Sequence, residues 1–361
     1  MQGTKLKILI PILILLLNST SHAASWPWSG HIKSDEQLIF FPAEAFYDAE
    51  HQRWTALIHG WVFEPGALDE VSSLFRKSLG LSVDDTSKTD SLFKQRARWF
   101  IVDNERKKRI KIQLGQQVFK MKKSGSNGHF NKTLKLNADY VNTLKETATD
   151  TTISFKAITP KKDKRIFRGQ LHLIPPKGIS VISDIDDTIK ISNVTDKQEL
   201  LANTFLRPLK AAPGMASLYK KWQSQQDAVF HYVSASPWQL YPVLSEFIQT
   251  SKFPSGLFYM KSFRWKDSSF FNLFADPIEY KINIIESILL RYPQRQFILV
   301  GDSGEKDPEV YGKIARKFPK QIIRILIRQV GDNNSEKRFT EAFLNLNKTI
   351  WQAFKTTQEI N

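Results

Sequence analysis

The feature that most constrains the fold is a change of hydrophobic pattern at Pro175-Pro176-Lys177-Gly178. Beyond it short apolar runs alternate with amphipathic stretches, which argues for an α/β unit on a largely parallel sheet. Strands are expected at residues 179–183, 228–233, 296–300 and 322–327. Between them Leu240, Val243, Leu244, Phe247 and Ile248 recur at helical spacing, as do Ile278, Ile282, Ile285, Ile288 and Leu289. Pro213, Pro237 and Pro308 stand where first helical turns begin, positions that tolerate a missing backbone N–H.

Ahead of that boundary the pattern is different. Residues 37–41, 54–63, 97–102, 109–114, 151–158 and 165–174 are strand-like runs between turn-rich stretches. One helical interruption is expected at 68–79, where Val71, Leu74 and Leu79 make a partial apolar face. The expectation is a mostly β, sandwich-like accessory domain over 26–174 without a catalytic constellation, then an α/β domain over 175–361. Basic clusters at 106–109, 120–123 and 161–165 fall in or beside turns and read first as solvated loops.

The N-terminus stands apart. Lys5 and Lys7, an apolar run from Ile8 to Leu17, and a polar stretch ending at Ala23-Ala24 outline a secretory signal peptide over 1–23. The apolar run falls well short of the roughly 20 residues that span a bilayer. An exported protein, periplasmic or secreted, is therefore expected. The 361 residues contain no cysteine, which excludes disulfides, thiolate metal sites and cysteine nucleophiles. A formal charge of +16 favours anionic partners; a polyanion, an anionic membrane surface and a phosphorylated substrate all satisfy it. No nucleic-acid-binding motif is recognisable, and neither a Walker-type loop nor a Gly-x-Ser-x-Gly elbow occurs.

Ligands of open α/β sheets bind beyond the carboxyl ends of the strands. The first expected strand there ends in Asp184-Ile185-Asp186-Asp187-Thr188, the second in Ser234-Ala235-Ser236, and the third in Gly301-Asp302-Ser303-Gly304-Glu305-Lys306-Asp307. Residues two apart in extended backbone point the same way, so Asp184 and Asp186 would both face a ligand. Carboxylates that close need a cation. With Asp302 as a third carboxylate and no cysteine or histidine cluster nearby, the donor set is oxygen-only, which suits Mg²⁺.

The set Asp184-x-Asp186-x-Thr188, Ser234, Lys281 and Gly301-Asp302 with Asp307 resembles the four ordered motifs of the haloacid dehalogenase superfamily of phosphotransferases. The longer strings GISVISDIDDTIK, HYVSASPWQLYP, FPSGLFYMKSF and LVGDSGEKDPEVY are similar, more narrowly, to the catalytic domain of the actin-patch type of phosphatidate phosphatase, over about residues 170–328. The runs FFPAEAFYD and IHGWVFEP resemble that family's leading segment only loosely. The resemblance implies a Rossmann-like parallel sheet and a Mg²⁺-dependent phosphatase that hydrolyses phosphatidate, a phosphorylated lipid at a membrane surface, to diacylglycerol and phosphate through an aspartyl-phosphate. It makes Asp184 the nucleophile, Asp186 the general acid and base, and Thr188 a support of the first loop. Ser234 and Lys281 become donors to the phosphoryl oxygens. Asp184, Asp302 and the backbone carbonyl of Asp186 hold the metal, and Asp307 orients its water or Lys281.

Plainer readings stand beside these. Asp187 reads as a turn cap, Asp307 also as an N-cap before Pro308, His231 as a core histidine, and Ser236 as a turn residue or a substrate contact. Lys261 and Lys266 compete with Lys281, although only Lys281 opens the helix leading into the Asp302 strand. The intervals 189–233 and 237–278 are too short for a large cap, so an open site is expected. The aromatic and basic stretch 259–271 would then lie at an interface or in the core. The alternatives to phosphatidate hydrolysis are a broad phosphomonoesterase on soluble or protein-borne phosphate and a non-catalytic anionic-lipid-binding protein.

Overall fold

The structure, a computed structural model, describes residues 30–67, 75–77, 79–81, 87–147, 151–262, 278–332 and 334–360. The expected leader, most of the expected helix at 68–79 and most of the stretch 259–271 lie outside the described residues.

Nine strands build the sheet of the first half: β1 (Gln37–Phe40), β2 (Ala43–Asp48), β3 (Arg53–Pro65), β4 (Val102–Asn104), β5 (Lys111–Leu114), β6 (Gln117–Lys120), β7 (His129–Asn137), β8 (Thr152–Ala157) and β9 (Arg168–Ile174). The long β3 organises them. β1 and β2 lie in line along one edge of it, and β7 pairs with the other edge from Arg53↔Asn137 to Trp61↔His129. Beyond β2 the sheet continues through β9, β8, β5 and β6. It then curls until Lys132 Nζ of β7 donates to the Lys120 carbonyl of β6 at 2.7 Å. A single curled sheet thus replaces the two facing sheets expected. Period-two alternation supplies its core, with Phe130, Leu134 and Leu136 pointing inward from β7 and Ile153, Phe155 and Ala157 from β8.

Of residues 97–102 only Val102 is extended, as the first residue of β4. The rest close a helix, α1 (Ser87–Ala97), and the N–H groups of Phe100 and Ile101 return to the Ala97 carbonyl at 2.8 and 3.2 Å. A short apolar run fits a strand or a helix end equally well; here Ala97 and Phe100 are buried from the turn that closes the helix. A second short helix, α2 (Ala138–Thr143), follows β7.

The second half is a six-stranded, all-parallel sheet of β10 (Gly178–Ser183), β11 (Val229–Pro237), β12 (Gly256–Lys261), β13 (Arg295–Asp302), β14 (Ile322–Arg328) and β15 (Trp351–Phe354). Its spatial order is β12-β11-β10-β13-β14-β15. This is the Rossmann-like class expected from the sequence. The chain moves outward from β10 to β12 and then reverses to β13, so the switch point at which such sheets bind ligands lies between the ends of β10 and β13. Helices α3 (Lys197–Phe205), α4 (Met215–Gln226), α5 (Tyr241–Thr250), α6 (Ile278–Arg291), α7 (Asp307–Lys317) and α8 (Glu336–Ala342) complete the fold. Sheets covered on both faces have continuously apolar strands, which is why β10 and β13 carry the runs Val181-Ile182 and Phe297-Ile298-Leu299-Val300, all buried.

The entrance to β10 is clamped by the buried Arg295. Its Nε donates to Ser180 Oγ at 2.8 Å, and its Nη1 donates to the Pro175 and Lys177 carbonyls at 2.8 and 2.6 Å. The halves also share an apolar core. Phe41 meets Trp238 at a ring separation of 4.2 Å, and Phe93 and Phe100 pack on Phe205. Glu44 on β2 crosses the junction, accepting from Tyr259 and Tyr292 hydroxyls at 2.9 Å each and pairing with Arg291.

Candidate active site

Every element of the site starts from a strand that stops. Where β10 ends, Asp184 is held by two donors: Lys281 Nζ lies 3.0 Å from its Oδ1, and Thr188 Oγ1 donates to its Oδ2 at 3.2 Å. Lys281, in the first turn of α6, is buried and also meets Asp307 at 2.6 Å and Glu305 at 2.9 Å. At the end of β13 the second oxygen of Asp307 accepts the Asp302 N–H at 3.2 Å. Gly301 is required here, because a Cβ would overlap the Asp307 carboxylate.

Asp186 points to another set of partners. Lys190 Nζ lies 2.6 Å from its Oδ1, to which Ser192 Oγ donates at 2.7 Å, and Ser236 Oγ donates to Oδ2 at 3.2 Å. Ser236 reaches it because β11 shifts register between Val233 and Pro237, the kind of irregularity that re-aims side chains at strand ends. Ser234 lies in the same irregularity, buried, its hydroxyl accepting the Ser236 N–H at 3.0 Å. Asp187 adopts a left-handed φ of 53° and its carboxylate accepts the N–H groups of Ser192, Asn193 and Val194 at 2.8, 3.0 and 2.6 Å. That is the geometry of a loop cap.

Electrostatics separates the two aspartates. Burial, only partly offset by Lys281, raises the Asp184 carboxyl well above the ordinary range. Burial pushes Asp186 the same way, but the Lys190 ammonium and the Ser192 and Ser236 hydroxyls outweigh it and hold Asp186 below that range. Asp302 is raised by burial and then by the neighbouring Asp307 and Glu305 charges.

The donor set fits a hard divalent cation. Carboxylate oxygens of Asp184, Asp302 and Asp307 all lie within 4.8 Å of one another. Asp302 Oδ1 accepts from the N–H groups of Gly304 and Glu305 at 2.6 and 3.1 Å, whereas its Oδ2 is buried without a hydrogen-bond partner. A buried carboxylate oxygen without a partner is costly, and a metal ion of this class takes such oxygens. The Asp186 carboxylate is not in this trio, so its only route to the same ion is the backbone carbonyl.

Of the competing lysines, Lys281 reaches the carboxylates. Lys261 lies over the Tyr280 ring at 5.6 Å, and Lys266 is outside the described residues. His231 is buried between Ser180 and Tyr259, and burial lowers it to about 3. Sequence reasoning overlooked Glu305, Lys190 and Ser192. The i,i+4 spacing of Asp186 and Lys190 was a local signal for one of them; Glu305 carried none.

Residues 179–329 match the family model described as "Phosphatidate phosphatase APP1, catalytic domain". This segment belongs to that family. Over 168 residues, 46% of the chain, it is 37% identical to the Saccharomyces cerevisiae protein named Phosphatidate phosphatase APP1, of which the match covers 28%. An uncharacterized Schizosaccharomyces pombe protein is 30% identical over 170 residues, 46% of the chain and 27% of its own length. The chain thus spans under a third of the length of these curated relatives. A solved Thermotoga maritima structure assigned to β-phosphoglucomutase, 13% identical, covers 46% of the chain and 93% of its own, with a TM-score of 0.27 on which nothing here rests. The expectation of an exported protein is corrected by the yeast relative, which is a cytoplasmic protein. The apolar N-terminal pattern that suggested export lies outside the described residues, among which no helix is long and apolar enough to cross a membrane.

Proposed function

We propose that the chain is a Mg²⁺-dependent phosphatase that works through an aspartyl-phosphate on Asp184, and that its substrate is a phosphorylated lipid, phosphatidate, released as diacylglycerol and phosphate. The observation that carries the reading is the unpartnered Asp302 oxygen beside Asp184 and Asp307, behind three carboxylates, Asp184, Glu305 and Asp307, that gather around the Lys281 ammonium. The family match supports the substrate class.

In this reading Asp184, Asp302 and the Asp186 carbonyl hold the ion, with Asp307 bracing Lys281. The ion, when bound, supplies the positive charge that lets a carboxylate approach a phosphate. Asp184 attacks phosphorus, an O–P bond forms, and the ester O–P bond breaks. The departing alkoxide takes a proton from Asp186. Water then gives a proton to Asp186 and attacks the phosphorus, which releases phosphate and restores Asp184. Lys190 keeps Asp186 ionised in the resting site; an incoming phosphate dianion opposes that charge and favours the protonated acid the first step needs. Lys281 and Ser234 are the donors to the transferring oxygens.

The test is phosphate release from phosphatidic acid vesicles and from a soluble phosphomonoester, with Mg²⁺ or EDTA, by the wild type and Asp184→Asn. Mg²⁺-dependent release from vesicles that falls by at least about a thousandfold in the variant is expected. Release from the soluble ester alone would keep the mechanism and remove the lipid; release unaffected by the substitution would remove the nucleophile.

A further inference from the structure

The three basic clusters of the first half end up in different circumstances. In the cluster at 161–165, Arg165 is spent on Asp163 at 2.7 Å and on the Lys33 and Glu36 carbonyls. Lys108 is buried between Glu36 and Glu105. Four other cations meet: the antiparallel β5–β6 hairpin sets Lys111 opposite Lys120 and thereby brings Arg109 and Lys111, at the start of β5, beside Lys120 and Lys123, at the end of β6, around one cavity of about 580 Å³. Among the described residues no carboxylate pairs with any of these four. Ile110 and Met121 give the cavity an apolar floor, and Val118, on the same β5–β6 hairpin, is 55% exposed. Four unpaired cations around an apolar floor, next to a projecting aliphatic side chain, are complementary to the boundary between anionic head groups and acyl chains. Among the described residues no Phe, Tyr or Trp lines the cavity, whose one ring is the imidazole of His31; stacking platforms of the kind that bind single-stranded nucleic acid are larger and repeated.

Contacts run from this cavity toward the end of β12. Lys132, bonded to the Lys120 carbonyl, lines a second cavity of about 470 Å³ together with Ser262, and Ser262 directly follows the end of β12, where Lys261 pairs with Pro237 just beyond Ser236.

We propose that Arg109, Lys111, Lys120 and Lys123 form a docking site for an anionic phospholipid surface, carried by the first half and separate from the catalytic carboxylates. The site engages head groups that are not substrate, so it stands or falls apart from the phosphatase reading.

The experiment is co-sedimentation of the full chain with phosphatidylcholine vesicles with and without phosphatidylserine, comparing the wild type, Asp184→Asn, the triple variant Arg109→Ser/Lys120→Ser/Lys123→Ser, and a charge-matched control, Lys313→Ser/Lys320→Ser/Lys348→Ser. All six of these basic positions are exposed. A basic side chain near an anionic leaflet is worth about fivefold in partitioning, so the triple variant should bind phosphatidylserine vesicles on the order of a hundredfold more weakly. The control should change by only about twofold, because screening removes charges more than about 10 Å from the surface, and Asp184→Asn should bind as the wild type does. Equal losses in the triple variant and the control would reduce the effect to net charge and overturn the proposal. Undiminished binding by the triple variant would overturn it, as would wild-type binding to a short DNA or to inositol hexakisphosphate that is stronger than to the vesicles.

Discussion

In the first half Lys108 lies between Glu36 and Glu105, and Glu36 also accepts the Lys33 N–H at 2.9 Å. At the ends of β10 and β13 Lys281 likewise lies among carboxylates, but Asp184, Glu305 and Asp307 surround it, and Asp302 stands behind them with an oxygen that nothing meets. The first arrangement gives each buried oxygen a partner and needs nothing further. The second accumulates like charge that the fold leaves uncompensated, which is an unfavourable way to hold a fold together and a useful way to hold a cation. Buried charge marks function here only where the protein does not balance it.

Exchanging the two lysines for methionine separates these roles. Breaking a buried ion pair by removing one partner costs about 3–5 kcal/mol, so Lys281→Met and Lys108→Met should both lower the denaturation midpoint of the metal-free protein. Mg²⁺ should recover stability in Lys281→Met and none in Lys108→Met. Recovery in both, or in neither, would make the two clusters equivalent.

The histidine pair of the first half gives a smaller contrast. His59 and His129 are in contact at 2.9 Å under Phe41 and Trp61, and burial lowers them from 6.5 to about 3 and about 4, with their mutual repulsion adding to the shift of His59. A base whose folded value is depressed contributes stability that is complete above its unfolded value and lost as pH falls toward the folded one. Acidification from about 6.5 to about 3 should therefore cost a few kcal/mol. Raised groups at the site, Asp184 and Asp302, act in the opposite sense: their contribution is present at low pH and fades as pH rises through their folded values. His59→Gln/His129→Gln, followed by thermal denaturation across this range, should flatten the acid arm alone. An unchanged acid arm would place its origin elsewhere.

The smallest expected effect concerns Asp187. Asp187→Asn keeps a residue type that tolerates positive φ but weakens three charge-assisted bonds, which should cost about 1–2 kcal/mol of stability and leave most of the turnover. A loss of activity comparable to that of Asp184→Asn would instead place Asp187 in the chemistry.

The parts of this protein that depend on short stretches of chain were legible in its sequence. Strand ends carrying Asp184, Asp186 and Asp302, the Pro308 helix start and the parallel class of the second half follow from hydrophobic period and turn chemistry, which act over a few residues. The alternation of His129–Asn137 is equally local and was overlooked, while 97–101 is a helix end and not a strand, because a short apolar run alone does not distinguish the two. Other features come from contacts between distant segments. The Asp186 carboxylate turning to Ser236, Glu305 reaching Lys281 and the missing partner of Asp302 all depend on register shifts and helix placement. Sequence by itself determined which residues stand at the switch point of the parallel sheet. Only the tertiary structure decided which of their charges are balanced, because compensation is a property of distances in space, and those are set by packing.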